Sequence, residues 1–95
     1  MTVLMIIQQT HDFARTAKKL SKQQKLELDD AVKSVIAAPE IGEIKQGDLA
    51  GVQVYKFRMN NQLALLAYRF ESEIVTLYLL KIGSHENFYR DLKMD

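Results

Sequence analysis

Two pairs of side chains stand out as able to work together: His85 and Tyr89, four residues apart near the end of the chain, and Lys56 and Arg58, two apart in its middle. Imidazole both gives and takes a proton near neutral pH, and a phenol can stack on a flat ring or orient the imidazole. Two fixed cations neutralise charge that builds on an oxyanion. The chemistry suggested is proton transfer beside a phosphate. Each residue also has an ordinary reading. His85 can be a surface residue of a first helical turn, Tyr89 a packing aromatic, and Lys56 and Arg58 the wet side of an antiparallel strand.

The elements around these residues decide whether they meet. The run Ile74-Val75-Thr76-Leu77-Tyr78-Leu79-Leu80-Lys81-Ile82 is apolar and rich in strand formers, and it stops at Gly83. Ser84 can then cap a short helix with His85 in its first turn and Tyr89 one turn later, on the same face. The segment from Val52 to Met59 alternates, so Tyr55, Phe57 and Met59 turn to a core while Lys56 and Arg58 emerge together on the other side, about 7 Å apart by strand geometry. Asn60-Asn61 makes a hairpin turn into a strand from Leu63 to Phe70, and Glu71-Ser72-Glu73 turns again into the last strand.

Upstream, residues 2–8 are apolar without alternation and are expected as a strand buried on both faces or central in its sheet. Thr10 caps a first helix whose apolar stripe is Phe13, Ala17 and Leu20. Arg15, Lys18, Lys19 and Lys22, at i, i+3, i+4 and i+7, form a basic stripe that is either a solvated face or a ridge tracking a nucleic-acid backbone. Ser21 and Gln24 have the form of a capping box, and a second helix runs through Leu28, Val32, Val35 and Ile36 to Pro39. Residues 39–51, with Gly42, Gly47 and Gly51, read as a positioned loop. The expectation is one α+β domain over residues 1–95. Its order is βααβββ with a short C-terminal helix, the helical hairpin packed on one face of an antiparallel-rich four-stranded sheet.

Composition agrees with one modest core, since 95 residues with 47% hydrophobic content leave no room for a second. The absence of cysteine excludes disulfides and thiolate chemistry and fits a cytoplasmic location. Two histidines are too few for a convincing histidine metal site, so neither metal nor cofactor is expected. Val3 to Ile7 is too short to cross a membrane and lacks the flanks of a signal peptide. The net charge of +1 hides an asymmetry: residues 1–25 set five cations against Asp12, whereas residues 26–50 set six acids against Lys33 and Lys45. A polyanion on the basic side is the expectation.

With the helices on one face of the sheet, Lys56 and Arg58 lie on the open face with His85 and Tyr89 at its rim. That constellation suits metal-independent cleavage of RNA, in which a 2′-hydroxyl loses a proton, the phosphorane gathers charge and the leaving 5′-oxygen gains a proton.

The element order, the approach Gly47-Asp48-Leu49-Ala50-Gly51 and the segment Ile82-Gly83-Ser84-His85-Glu86-Asn87-Phe88-Tyr89-Arg90-Asp91-Leu92 resemble the RelE/ParE superfamily of bacterial type II toxins over essentially the whole chain. The resemblance implies a ribosome-dependent mRNA endoribonuclease that cuts the codon in the A site, with ribosome, mRNA and ribosomal RNA as partners and a cognate antitoxin that neutralises it. Lys56 and Arg58 match the Lys-x-Lys pair of RelE-like enzymes, His85 the position of the YafQ-like catalytic histidine, and Tyr89 the catalytic aromatic. The stripe Arg15, Lys18, Lys19 and Lys22 would grip ribosomal RNA. The third-strand arginine of RelE-like enzymes has no counterpart in Leu63-Ala64-Leu65-Leu66, and Glu43 and Asn60 stand where YafQ-like enzymes carry a loop histidine and a turn aspartate. A ParE-like gyrase inhibitor and a non-enzymatic binding module are the alternatives on the same fold.

Overall fold

Capping side chains set both helices where the sequence predicts them. In the computed structural model, which describes residues 4–85 and Phe88, Thr10 Oγ1 accepts the Phe13 N–H and opens α1 (His11–Lys18). Ser21 and Gln24 form the reciprocal capping box that opens α2 (Lys22–Ala37). Pro39 cannot continue the helix and begins a single 3₁₀ turn instead.

The strands are β1 (Ile6–Gln9), β2 (Glu43–Ile44), β3 (Gln53–Met59), β4 (Gln62–Glu71) and β5 (Thr76–Ser84). They form one five-stranded sheet in the order β1-β5-β4-β3-β2, with β1 parallel to β5 and the other neighbours antiparallel. The β3–β4 hairpin closes on Asn60 and Asn61, both in the left-handed region that asparagine tolerates. Its turn is tied to α2 by the Asn60 N–H donating to Glu27 Oε1 at 2.9 Å.

Three expectations change. β1 is neither central nor buried: it lies at the sheet edge, with Ile6 47% and Ile7 46% exposed. The chain leaves it at once for α1, Thr10 being pinned to the Leu79 and Leu80 carbonyls, and among the described residues no strand pairs with its outer side. The sheet has five strands rather than four, because the segment read as a loop contributes β2, paired to β3 at Glu43–Val54 and Ile44–Gln53. The last strand starts at Thr76 and runs to Ser84, so Ser84 ends a strand instead of capping a helix and His85 occupies a turn. Phe88 is helical, and the rest of the expected terminal helix lies outside the described residues.

Helices cover one face of the sheet. Phe13, Leu28 and Val35 pack there against Leu66, Tyr68, Leu77, Leu79 and Ile82, flanked by Tyr55, Phe57 and Met59. The opposite face carries no helix from the hairpin but has a small core of its own: Val52, Val54, Leu65, Ala67 and Phe88.

Tyr68 ties the α2–β2 connection to the sheet. Its hydroxyl donates to the Pro39 carbonyl at 2.5 Å and accepts the Gly42 N–H at 2.9 Å, while Gln53 Nε2 donates to the Pro39 carbonyl at 2.9 Å. Burial raises the Tyr68 pKa, so the phenol stays a donor. A Cβ on Gly42 would lie 2.6 Å from this hydroxyl, which is why glycine fits there. Replacing Tyr68 with Phe leaves the buried Gly42 N–H without its acceptor. The expected loss is about 1–3 kcal/mol in urea unfolding, and an unchanged midpoint would show that the hydroxyl contributes nothing.

Candidate functional site

Which face of the sheet each candidate residue serves follows from strand parity. On β3, Tyr55, Phe57 and Met59 pack on the helix-side core, so Lys56 and Arg58 are exposed on the open face beside Val54. On β5, Leu77 and Leu79 face the helices, and unbroken alternation would send Gly83 the same way. A bulge prevents this. Tyr68 pairs with Leu79 and Ala67 with Lys81, so Leu80 is an extra residue with no partner on β4. Past it the parity reverses: Ile82 joins the helix-side core, and Gly83 joins the row of Leu65 and Lys56.

Two rungs of the ladder therefore carry the site. In one, Lys56 pairs with Leu65 and Leu65 with Gly83. In the next, Arg58 pairs with Leu63, whose carbonyl accepts the His85 N–H at 3.4 Å. Across two strand spacings the backbones of Arg58 and His85 stand about 10 Å apart, a gap that three extended side chains can close around one phosphate. Phe88 is 1% exposed and packs on the open-face core, and a Cβ on Gly83 would meet its ring at 3.5 Å. The turn at His85 is thus held at both ends, by the Leu63 carbonyl before it and the buried Phe88 ring after it.

The structure puts Lys56 and Arg58 on the open face and sets the turn that carries His85 two strands away, its backbone tied to the Leu63 carbonyl opposite Arg58. Tyr89 lies outside the described residues. The basic stripe is placed differently from the expectation, because α1 stops at Lys18. Arg15 and Lys18 belong to α1, Lys19 is its C-cap and Lys22 begins α2, so the four do not share one helical face. All four are exposed on the helix layer, across the sheet from Lys56 and Arg58. Lys18 rims a cleft of about 290 Å³ between β1 and the helical hairpin, with Gln9, Ala17, Lys25 and Asp29.

Glu43 is a member of this surface that sequence reasoning noted only as a departure. Pairing with Val54 sets it on the open face, on the Lys56 side. A hydrogen bond from Lys45 at 3.0 Å holds its carboxyl below the usual range, with further attraction from Lys45 and Lys56. Among the described residues no cluster of histidine and acidic side chains could hold a metal ion, and no helix is long and apolar enough to cross a membrane.

No functionally curated protein matches the sequence. Solved structures do match in fold. The Escherichia coli RelBE toxin–antitoxin complex aligns at 18% identity, covering 87% of this chain and 99% of that one, with a TM-score of 0.69. The RelBE2 toxin–antitoxin complex of Mycobacterium tuberculosis aligns at 20% identity, 87% and 100% coverage and 0.68. The YoeB/ParE toxin of Agrobacterium tumefaciens aligns at 17% identity, 85% and 99% coverage and 0.69. These likenesses establish the RelE-like α+β fold, and the family model described as ParE-like toxin of type II bacterial toxin-antitoxin system matches residues 7–93. That match takes in both helices, the whole sheet and both candidate rungs, and the chain belongs to that family, within the RelE/ParE superfamily of type II toxins.

Proposed function

We propose that this chain is the toxin of a type II pair and acts in the cytoplasm as an endoribonuclease on mRNA in the ribosomal A site. The observation that supports the reading is the register: two cations on the open face of one strand and, two strands away, the turn that carries His85, tied to the Arg58 rung through the Leu63 carbonyl. In the reaction the 2′-oxygen attacks phosphorus, the bond to the 5′-oxygen breaks, and the products are a 2′,3′-cyclic phosphate and a 5′-hydroxyl. Lys56 and Arg58 bind the scissile phosphate and the charge that develops on it, Arg58 by a bidentate fork. His85 exchanges the proton at the reacting oxygen, and Tyr89 stacks on a base or orients the imidazole.

The cations of the helix layer have a separate task. Arg15, Lys18, Lys19 and Lys22 face away from the cleavage face, so they grip ribosomal RNA while the mRNA lies on the other side of the sheet. A protein charged on both faces suits a position between two anionic surfaces. The cognate antitoxin also finds a surface here. Among the described residues β1 has an unpaired edge and carries, with Leu4 before it, the exposed side chains of Ile6 and Ile7, and an edge of that kind favours cover by an added strand or an apolar helix.

The family model favours a second reading, inhibition of DNA gyrase, because its description names ParE-like toxins. Inducing the chain in cells separates the two. An RNase stops protein synthesis at once and leaves site-specific mRNA ends in primer extension; a gyrase poison induces the DNA-damage response first. His85→Ala is expected to lower cleavage by roughly 10² to 10⁴ while the protein still folds. The double variant Lys56→Ala with Arg58→Ala should lose cleavage through weaker binding of the scissile phosphate. Undiminished growth arrest by His85→Ala would refute the role given to the imidazole.

A further inference from the structure

The open face does not end at the two rungs. Arg69 and Tyr78 are cross-strand partners near the other end of β4 and β5, and both lie on the face of Lys56 and Arg58: Tyr68, Phe70, Leu77 and Leu79, which flank them, all turn to the helices. Tyr78 is 40% exposed, so part of its ring is open to a stacking partner. Arg69 is exposed and leans on the chain that leads into β3. Its Nη2 donates to the Ala50 carbonyl at 3.4 Å, and its guanidinium lies over Gly51, where a Cβ would come within 3.2 Å. Gly51 also has φ +87°, a backbone conformation that favours glycine.

Between this pair and the Lys56 rung, Val54, Ala67 and Phe88 pack with Leu65 of that rung as a small buried core, and Glu43 stands beside Val54. Leu65 and Arg69 are four residues apart on β4, about 14 Å. Along this face a cation pair is followed by a buried apolar stretch and then by a cation beside an exposed ring. Glu71, two residues beyond Arg69 and exposed, ends the track with the opposite sign.

We infer that Tyr78 and Arg69 form a second nucleotide subsite, in which one base of the same single-stranded RNA stacks on the Tyr78 ring while Arg69 contacts the adjoining phosphate. The inference rests on the nuclease reading above and extends it from one linkage to a length of strand. Stacking on an aromatic ring tolerates any base, so the subsite lends grip rather than sequence preference. Arg69 adds a phosphate contact whose strength falls with salt.

Fluorescence anisotropy with two labelled, uncleavable 2′-O-methyl oligoribonucleotides tests it, a dinucleotide that fills only the cleavage rungs and an octanucleotide that reaches Tyr78. The octanucleotide should bind wild-type protein at least tenfold more tightly. Tyr78→Ala should cost about tenfold for the octanucleotide, the order expected for one stacked base, and leave the dinucleotide unchanged. Tyr78→Phe should keep the gain, and Arg69→Ala should flatten the salt dependence by less than one unit of slope. An octanucleotide bound no better than the dinucleotide, or no binding of either, overturns the subsite. So does a length gain that survives Tyr78→Ala. The nuclease reading fails separately, through mRNA cleavage that is absent or indifferent to His85→Ala, so each failure is recognisable.

Discussion

The extra residue at Leu80 determines which side of the sheet the C-terminal half of β5 serves, and the candidate site exists only because of that choice. Residues before the bulge supply Leu77 and Leu79 to the helix-side core, and Ile82 returns to that core one step out of phase. Gly83 is released to the opposite face, and the turn at His85 follows it. A straight strand would aim this segment at α1 and α2 and separate the imidazole from Lys56 and Arg58 by the thickness of the sheet. Bulges cost a ladder pairing and are found where a strand must redirect a side chain, as here.

Packing locks the choice in place. Tyr68 sits opposite Leu79 at the bulge, is fully buried, and binds the Pro39–Gly42 segment that leads into β2. On the open face Phe88 covers Val54, Leu65 and Gly83. Lys81, next to the bulge, reaches back to α1 and donates to Asp12 Oδ2 at 2.6 Å, joining the helix layer to the same irregularity. The residue count of β5 is thus fixed from both faces. Sliding the strand by one position would empty the Ile82 site in the main core and lift Phe88 from its floor, each a loss of a buried apolar side chain worth about 1.5–3 kcal/mol.

Local chemistry was legible in the sequence; long-range pairing was not. Thr10, Ser21 with Gln24, Pro39 and Asn60-Asn61 act within a few residues, and each does in the structure what its side chain dictates. The alternation from Gln53 to Met59 correctly put Lys56 and Arg58 on the open face. The apolar run Leu79-Leu80-Lys81-Ile82 gives no sign of the bulge, because Leu80 is apolar whichever face it serves. β1 misled for a related reason: an apolar run looks the same whether a sheet or a partner chain covers it. β2 is two residues long and owes its strand form to the neighbouring β3 and to the Tyr68 clamp on Gly42, neither of which is local. Glu43 was visible as a residue but not as a member of the open face, because only its pairing with Val54 puts it there.

A net charge of +1 gives little long-range pull on a polyanion, so attraction must come from where the charges stand. Screening confines each to about 8–10 Å at physiological salt, less than the span of the molecule at 38 × 33 × 22 Å. The helix-layer cations and the pair on β3 therefore act as independent patches, and the acids of α2, Asp29 and Asp30, cannot cancel Lys56 and Arg58 across the sheet. Glu43 shares their face and is attracted by Lys56, but its hydrogen bond is made to Lys45. With the Glu43 carboxylate hydrogen-bonded to Lys45, Lys56 and Arg58 remain exposed on the open face, where an anion can approach both.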